Sequence, residues 1–408
     1  MTLYEDLKWR GLIKDVSNPE IEKKLNEEKI TFYIGTDPTA DSMHIGHFSS
    51  FLIAPRLAQY GHKPVLLIGC ATGLIGDPKP TNERAMITKE QVLKNVEGLT
   101  KQAKDIFGFE VVNNYDWIKD INTIDFLRDY GKYINVNYML DKDIISRRLD
   151  SGITFCEFAY TILQGLDFVH LNESKGVTLQ VAGSDQWGNI TTGIELARKK
   201  NGVELYGLTM PLVLDSRGVK FGKTEGNALW LDKNKTSSYE LYQYLINSDD
   251  ACVVDYLKKL TLLSKDEIED IERRHNEFPE KRYAQERLAE EVITFLHGKD
   301  EYLKATNISK ALFSGDISKL KADEILEGLK EVPSFTIDKE ITLLDLLVNN
   351  KICSSRREAR EFLKNNSISL NGEKMNDENM IVNSNLAIDN RIIVIRRGKK
   401  KYYLGQFK

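Results

Sequence analysis

Two histidines, His44 and His47, flank Ile45-Gly46, and about 180 residues later the chain reads Lys220-Phe-Gly-Lys223-Thr224. Imidazoles at i and i+3 share one face of a helix. At a helix start, free N–H groups and the positive dipole end already favour phosphate. The bare Gly46 lets a base or sugar come close to the backbone. The later run brings two ammonium groups and a hydroxyl on a segment that Gly222 makes flexible, after the turn Asp215-Ser-Arg-Gly218. Directed donors and point cations together suit a polyphosphate, whose charge calls for both. Residues 220–224 are therefore expected to form a mobile loop that closes over a triphosphate.

A second constellation lies in residues 155–169, a mostly apolar helix on which Tyr160, Gln164 and Asp167 fall at i, i+4 and i+7. That spacing makes one continuous stripe. Burying a hydroxyl, an amide and a carboxylate is costly unless something polar pairs with them. Tyr160 and Asp167 are two turns apart, about 10 Å, comparable with a small amino acid lying alongside, its ammonium toward one end. Tyr33, two residues before Gly35, can face the same cleft. Its phenol and the Asp167 carboxylate can exchange hydrogen bonds with another phenolic hydroxyl. The run Gly183-Ser-Asp185-Gln186-Trp-Gly188-Asn189 combines small residues with an acid suited to ribose hydroxyls. Gly73-Leu-Ile-Gly-Asp77-Pro78 forms another glycine-rich turn, followed by Lys79 and Arg84.

The His-Ile-Gly-His and Lys-Phe-Gly-Lys-Thr runs, in this order, resemble those of class I aminoacyl-tRNA synthetases. The helix stripe with Tyr33 resembles the amino-acid pocket of bacterial-type tyrosyl-tRNA synthetases, and the likeness covers essentially the whole chain. It implies catalytic roles for His44, His47, Lys220, Lys223 and Thr224, the last three stabilising the pentavalent phosphate and leaving pyrophosphate. It implies ATP contacts from Gly35, Asp37, Thr39 and Gly46, a ribose ligand in Asp185 and a pyrophosphate contact in Arg84. Tyr33 and Asp167 would read a substrate hydroxyl, which phenylalanine would leave unanswered. Asp77, Tyr160 and Gln164 would hold the ammonium, and Gln186 the carboxylate. Two departures stand out: the loop has Phe-Gly and a terminal threonine where most class I loops have methionine and serines, and the segment after Pro78 is shorter and poorer in lysine. No editing insertion is visible.

The implied activity is tyrosine–tRNA ligation: ATP activates tyrosine to tyrosyl-adenylate, which then charges the tRNA terminal adenosine. ATP would enter as a substrate with Mg2+, and no metal site or tightly bound cofactor is expected. A homodimer is implied, with residues 133–158 at its interface and tRNA spanning both subunits. A tryptophanyl enzyme shares the ATP motifs, but Tyr33 with Asp167 suits a phenol better than an indole. A non-catalytic RNA-binding relative would lack His44, His47 or Lys223, and all three are present.

The elements that must position these groups read as α/β with a Rossmann-like parallel sheet. Strands are expected at residues 30–34, 64–69, 177–182 and 208–214, and one helix at residues 44–60 ending before Gly61. Ligands in such a fold sit at the carboxyl ends of the strands. The catalytic domain is expected over residues 1–230 and a charged helical domain over 231–332, with capping boxes at Ser237/Glu240 and Ser264/Glu267. Residues 333–340 read as a linker. Residues 341–408 resemble a small α+β RNA-binding module first known from a ribosomal protein. Its candidate RNA contacts are Arg356, Arg357 and Arg360 on a helix, then Arg396, Arg397, Lys399, Lys400 and Lys401 about a hairpin.

Bulk properties agree. A chain of 408 residues is too long for one ordinary core. Its net charge of −4 hides a gradient, since residues 391–408 hold seven Lys or Arg and no acid, leaving −11 on the first 390. Only that end attracts an anionic polymer. The four cysteines are far apart, suggesting neither disulfides nor zinc. No apolar run approaches the roughly 18 residues of a membrane span, and no targeting pattern opens the chain. A cytoplasmic protein without membrane partners is expected.

Overall fold

A computed structural model describes residues 1–78, 86–224, 227–330, 332–398 and 401–408, with the side chains of Lys223, Thr224 and Asn227 excepted. The chain forms two compact units, Met1–Thr236 with Ser248–Val292, and Ser237–Asn247 with Ile293–Lys408.

The first unit is built on a six-stranded sheet ordered Asp15–Val16, Tyr206–Met210, Val177–Gly183, Thr31–Thr36, Lys63–Ile68, Glu110–Asn113. All neighbours are parallel except the first pair. The central strands are apolar along most of their length and buried, as strands covered on both faces must be. From Thr31–Thr36 the sheet grows one way through Lys63–Ile68 and the other way through Val177–Gly183. That reversal opens a crevice at the strand ends, where such folds bind ligands.

The helix expected over residues 44–60 is two, Ile45–Phe51 and Ile53–Ala58, meeting at Leu52. Pro55 cannot donate to the Phe51 carbonyl, so the ladder breaks there. The strand Glu110–Asn113 was not foreseen, because Glu-Val-Val-Asn offers only two apolar residues.

The helical region does not stand alone as residues 231–332. Residues 248–292 fold with the first unit, where Arg10 donates to the carbonyls of Lys258 (3.1 Å) and Leu263 (2.6 Å) and Arg56 to that of Thr261 (2.6 Å). These arginines satisfy carbonyls at and beyond the end of Asp250–Leu260, which otherwise lack partners. Helices Lys299–Ser314 and Ala322–Gly328 instead share a core with the second unit's sheet, through Ile308, Ile325, Ile392, Val394 and Leu404.

That sheet runs Glu373–Met375, Ile368–Leu370, Ile392–Arg397, Lys401–Phe407, Ser334–Ile337. The expected linker is thus corrected: Ser334–Ile337 is a strand, parallel to Lys401–Phe407. Ile337 is buried while Ser334 and Thr336 face out, a period of two hidden by a single buried residue. The hairpin turn at Asn371-Gly372 forms as expected, both residues left-handed at φ 50° and 93°. Helices Leu343–Asn349 and Arg356–Lys364 pack on this sheet.

Candidate active site

A cleft of about 380 Å³ opens between the ends of Thr31–Thr36 and Val177–Gly183, a volume suited to a small-molecule ligand. Its deep end holds Tyr33 and Asp167, both buried. Among the described residues the Tyr33 hydroxyl finds no partner, and its ring meets Phe168 edge-on at 5.3 Å. Burial, with the Asp167 charge beside it, raises the Tyr33 phenol well above its usual range. Burial likewise pushes Asp167 up to about 7, against the hydrogen bonds that hold it down. Asn114 Nδ2 donates to Asp167 Oδ2 at 3.0 Å and Trp117 Nε1 to Oδ1 at 2.9 Å. Neither donor was read from the sequence. Both follow the unforeseen edge strand, so recognising it was the signal that would have found them.

Midway along the stripe, Tyr160 donates to Asp37 Oδ2 at 2.9 Å, and Thr72 donates to Oδ1 at 2.7 Å. A Cβ on Gly69 would lie 2.3 Å from both Asp37 Oδ1 and Thr72 Oγ1, so this corner demands glycine. Asp77 accepts from Gln186 Nε2 at 3.1 Å and from Asn189 Nδ2 at 3.2 Å. The charges of Asp37 and Asp77 both act on Tyr160, and such an acidic corner suits an ammonium group. Gln164 presents a buried Oε1 without a partner among the described residues. Thr39, Asp185 and Gly35 line the same cleft.

At the other end stands the His-Ile-Gly-His run, capping the helix Ile45–Phe51. His44 Nδ1 accepts from the Gly46 N–H and His47 Nδ1 from the His44 N–H, each at 3.1 Å. A backbone N–H only donates, so both rings carry their proton on Nε2. The rings stack with centroids 3.9 Å apart. Burial, and the like charge that a protonated His44 would bring, lower His47 to about 3, keeping it neutral near pH 7.

A second hollow of about 170 Å³ is lined by both histidines, Gly46, Lys220 and Phe221. Here the two distant motifs meet. The Ile45 N–H donates to the Leu229 carbonyl at 2.8 Å, His44 bridges to Trp230, and a Cβ on Gly222 would fall 1.8 Å from Ile45 Cγ2. Phe221 anchors the loop against Tyr256, centroids 4.6 Å apart. Lys223–Thr224 forms a short strand with Asn227–Ala228. Arg84 and Lys79 lie outside the described residues, as do Lys399 and Lys400.

Family comparison decides the assignment. The model of the class I tRNA synthetases for tryptophan and tyrosine matches residues 25–314. The chain belongs to that family. It is therefore a ligase of the aminoacyl-tRNA synthetase kind, activating an amino acid with ATP and charging tRNA. The SYY-like C-terminal domain of tyrosine–tRNA ligases matches residues 324–405. A C-terminally truncated mitochondrial tyrosyl-tRNA synthetase of Aspergillus nidulans is 32% identical, covering 76% of this chain and 94% of that one, with a TM-score of 0.68. The equivalent truncated enzyme of Coccidioides posadasii is 30% identical over 75% and 91%, also at 0.68. A tryptophan-bound tryptophanyl-tRNA synthetase of Encephalitozoon cuniculi shares the fold at 15% identity over 74% and 87%, TM-score 0.53.

In the second unit of this synthetase the candidate RNA contacts divide. Arg357 is exposed and carries no ion pair among the described residues. Arg356 pairs with Asp345, and Arg360 with Glu378 at 2.6 Å, both on the surface. Arg396 lies against Gly315, and Lys401 is exposed. Arg397 turns inward, donating to the Ile352 carbonyl and covering the Phe362 ring. Among the described residues no group of three or more His, Cys, Asp or Glu could hold a metal ion, and no helix is long and apolar enough to cross a membrane.

Proposed function

We propose that this synthetase is a tyrosine–tRNA ligase of the bacterial type, and that Tyr33 and Asp167 read the substrate phenol. The observation that carries the reading is the pair itself: a partnerless buried hydroxyl beside a buried carboxylate at the closed end of the pocket. Two polar groups there answer a phenolic hydroxyl, which can donate to Asp167 and accept from Tyr33. The match of residues 324–405 to a tyrosine–tRNA ligase domain supports the same amino acid.

In this reading Asp77, Tyr160 and Gln164 hold the ammonium, with Asp37 adding charge at the same corner, and Gln186 orients the carboxylate. That carboxylate attacks the α-phosphate of ATP, releasing pyrophosphate. The tRNA terminal hydroxyl then displaces AMP from tyrosyl-adenylate. Both nucleophiles come from the substrates, so the chain supplies position and charge. His44 and His47 donate through Nε2–H, while Lys220, Lys223 and Thr224 offset the charge growing on the phosphates. Gly35, Thr39 and Gly46 admit the nucleotide, Asp185 holds its ribose and Arg84 its pyrophosphate. Magnesium arrives with ATP as part of that substrate. Arg356, Arg357, Arg360, Arg396 and Lys401, with Lys399 and Lys400, attract the tRNA backbone. Arg397 serves mainly the module's own packing.

A homodimer fits the surface of the first unit. Ile124, Leu127, Val136, Tyr138, Leu149 and Phe155 are all exposed within one stretch, Phe155 at 71%. Such a band calls for a cover, and sedimentation velocity on the full chain reads whether a second copy supplies it.

Pyrophosphate exchange with each of the twenty amino acids tests the assignment. Tyrosine is expected to drive exchange. Tyr33→Phe is expected to narrow the preference for tyrosine over phenylalanine by about 1–3 kcal/mol, one lost polar contact. Unchanged discrimination would remove Tyr33 from the reading, and exchange driven by tryptophan would replace the substrate.

A further inference from the structure

Asp167 depends on Trp117, and Trp117 sits on a four-residue helix, Tyr115–Ile118, too short to fix a large side chain by itself. Its indole is only half-buried. It packs at the edge of the core that holds Tyr33, Leu67 and Phe168, and the specific contact on its ring face is His170. The imidazole stacks on the indole with centroids 4.4 Å apart and planes 14° from parallel. His170 follows Asp167 by three residues in Phe155–Lys175, so both occupy one helix face. The indole lies along that face, N–H on the carboxylate and ring on the imidazole. Among the described residues no hydrogen bond or ion pair engages the His170 ring, so the stack is its main specific contact.

We infer that His170 is a positioning residue for amino-acid recognition, clamping Trp117 so that its N–H keeps Asp167 aimed at the substrate hydroxyl. The inference rests on the tyrosine reading above. Without the clamp the indole gains rotamers, the donor is present only part of the time, and the carboxylate loses one of two hydrogen bonds that oppose its burial. The consequence belongs to amino-acid binding, not to the phosphate end of the cleft. ATP affinity and the chemical step are left as they were.

Steady-state pyrophosphate exchange on the full-length chain tests this. His170→Ala is expected to raise KM for tyrosine about three- to tenfold, the worth of a stacked aromatic pair. KM for ATP and kcat should stay within about twofold. His170→Phe keeps a ring on the indole and should restore KM for tyrosine to within about twofold of the parent. Trp117→Phe removes the N–H, so adding His170→Ala to it should change KM less than twofold. The inference is overturned if His170→Ala leaves KM for tyrosine unmoved, or if kcat and KM for ATP shift with it. It is equally overturned if phenylalanine at 170 does no better than alanine, or if the double variant is additive. Exchange driven by tryptophan alone would overturn the tyrosine reading and this inference together. Tyrosine-driven exchange with an unmoved KM overturns the inference alone.

Discussion

Asp167, proposed above to read the substrate hydroxyl, shows what a buried carboxyl costs the protein that carries it. Its carboxyl is raised to about 7 in the ligand-free pocket, against an ordinary value of 3.8. Between these values the folded chain keeps a proton that the unfolded chain releases. The associated stability is therefore complete below about pH 4 and lost as pH rises through about 7, by up to about 4 kcal/mol. Asp167→Asn removes that slope. Urea unfolding of the ligand-free proteins at pH 5 and pH 8 is expected to show the variant gaining on the parent by a few kcal/mol at the higher pH, while tyrosine-driven exchange is lost. A stability difference that does not change with pH would place the Asp167 proton elsewhere.

At the scale of elements, the decisive contact is the seating of the Lys220–Thr224 loop on the helix that begins with His44. Gly222 makes it possible, through a left-handed backbone (φ +81°) and the absence of a Cβ that would lie inside Ile45. Gly222→Ala should lift the loop from that helix and displace the Lys220 ammonium, proposed above to meet the phosphates. Adenylate formation, followed by stopped-flow, is expected to slow at least tenfold. Equilibrium tyrosine affinity should hold within about twofold, since cations acting in the transition state leave ground-state binding alone. A collapse of tyrosine affinity with an intact forward rate would mean that the loop serves another end of the cleft.

For the whole molecule, the core shared by the helices after Lys299 and the C-terminal sheet predicts where the chain can be cut. Ending it at Lys330 leaves Ile317, Leu320, Ile325 and Leu329 without the cover of Ile392, Val394 and Leu404. Each bared side chain forfeits as much as about 1.5–3 kcal/mol of burial. Ending it after Ser314, where the catalytic family match also stops, removes those four with their cover and bares only Ile308 and Ala311 of the buried residues in that core. The shorter chain is expected to stay monodisperse in sedimentation and to exchange pyrophosphate near the parent rate, whereas the Lys330 chain aggregates. Both should lose most tRNA charging, and parent tRNA binding should weaken as salt rises. Near-normal charging by the shorter chain would remove the C-terminal module from tRNA binding.

What the sequence by itself determined was local and periodic. It fixed the strand–turn–helix order, the capping boxes at Ser237 and Ser264, the Asn371-Gly372 turn and the stripe of Tyr160, Gln164 and Asp167. Each of these rests on neighbours within a few residues, through backbone propensity or helix spacing. Tertiary structure decided what distant segments share. It placed Asn114 and Trp117 on Asp167 from the short helical turn after an edge strand too short to show a period, and brought Gly222 onto Ile45. It turned Arg397 inward and made a strand of Ser334–Ile337. It also split the helical region between two cores, because burial depends on which surface lies opposite a helix, and a helix sequence records only that one face is apolar.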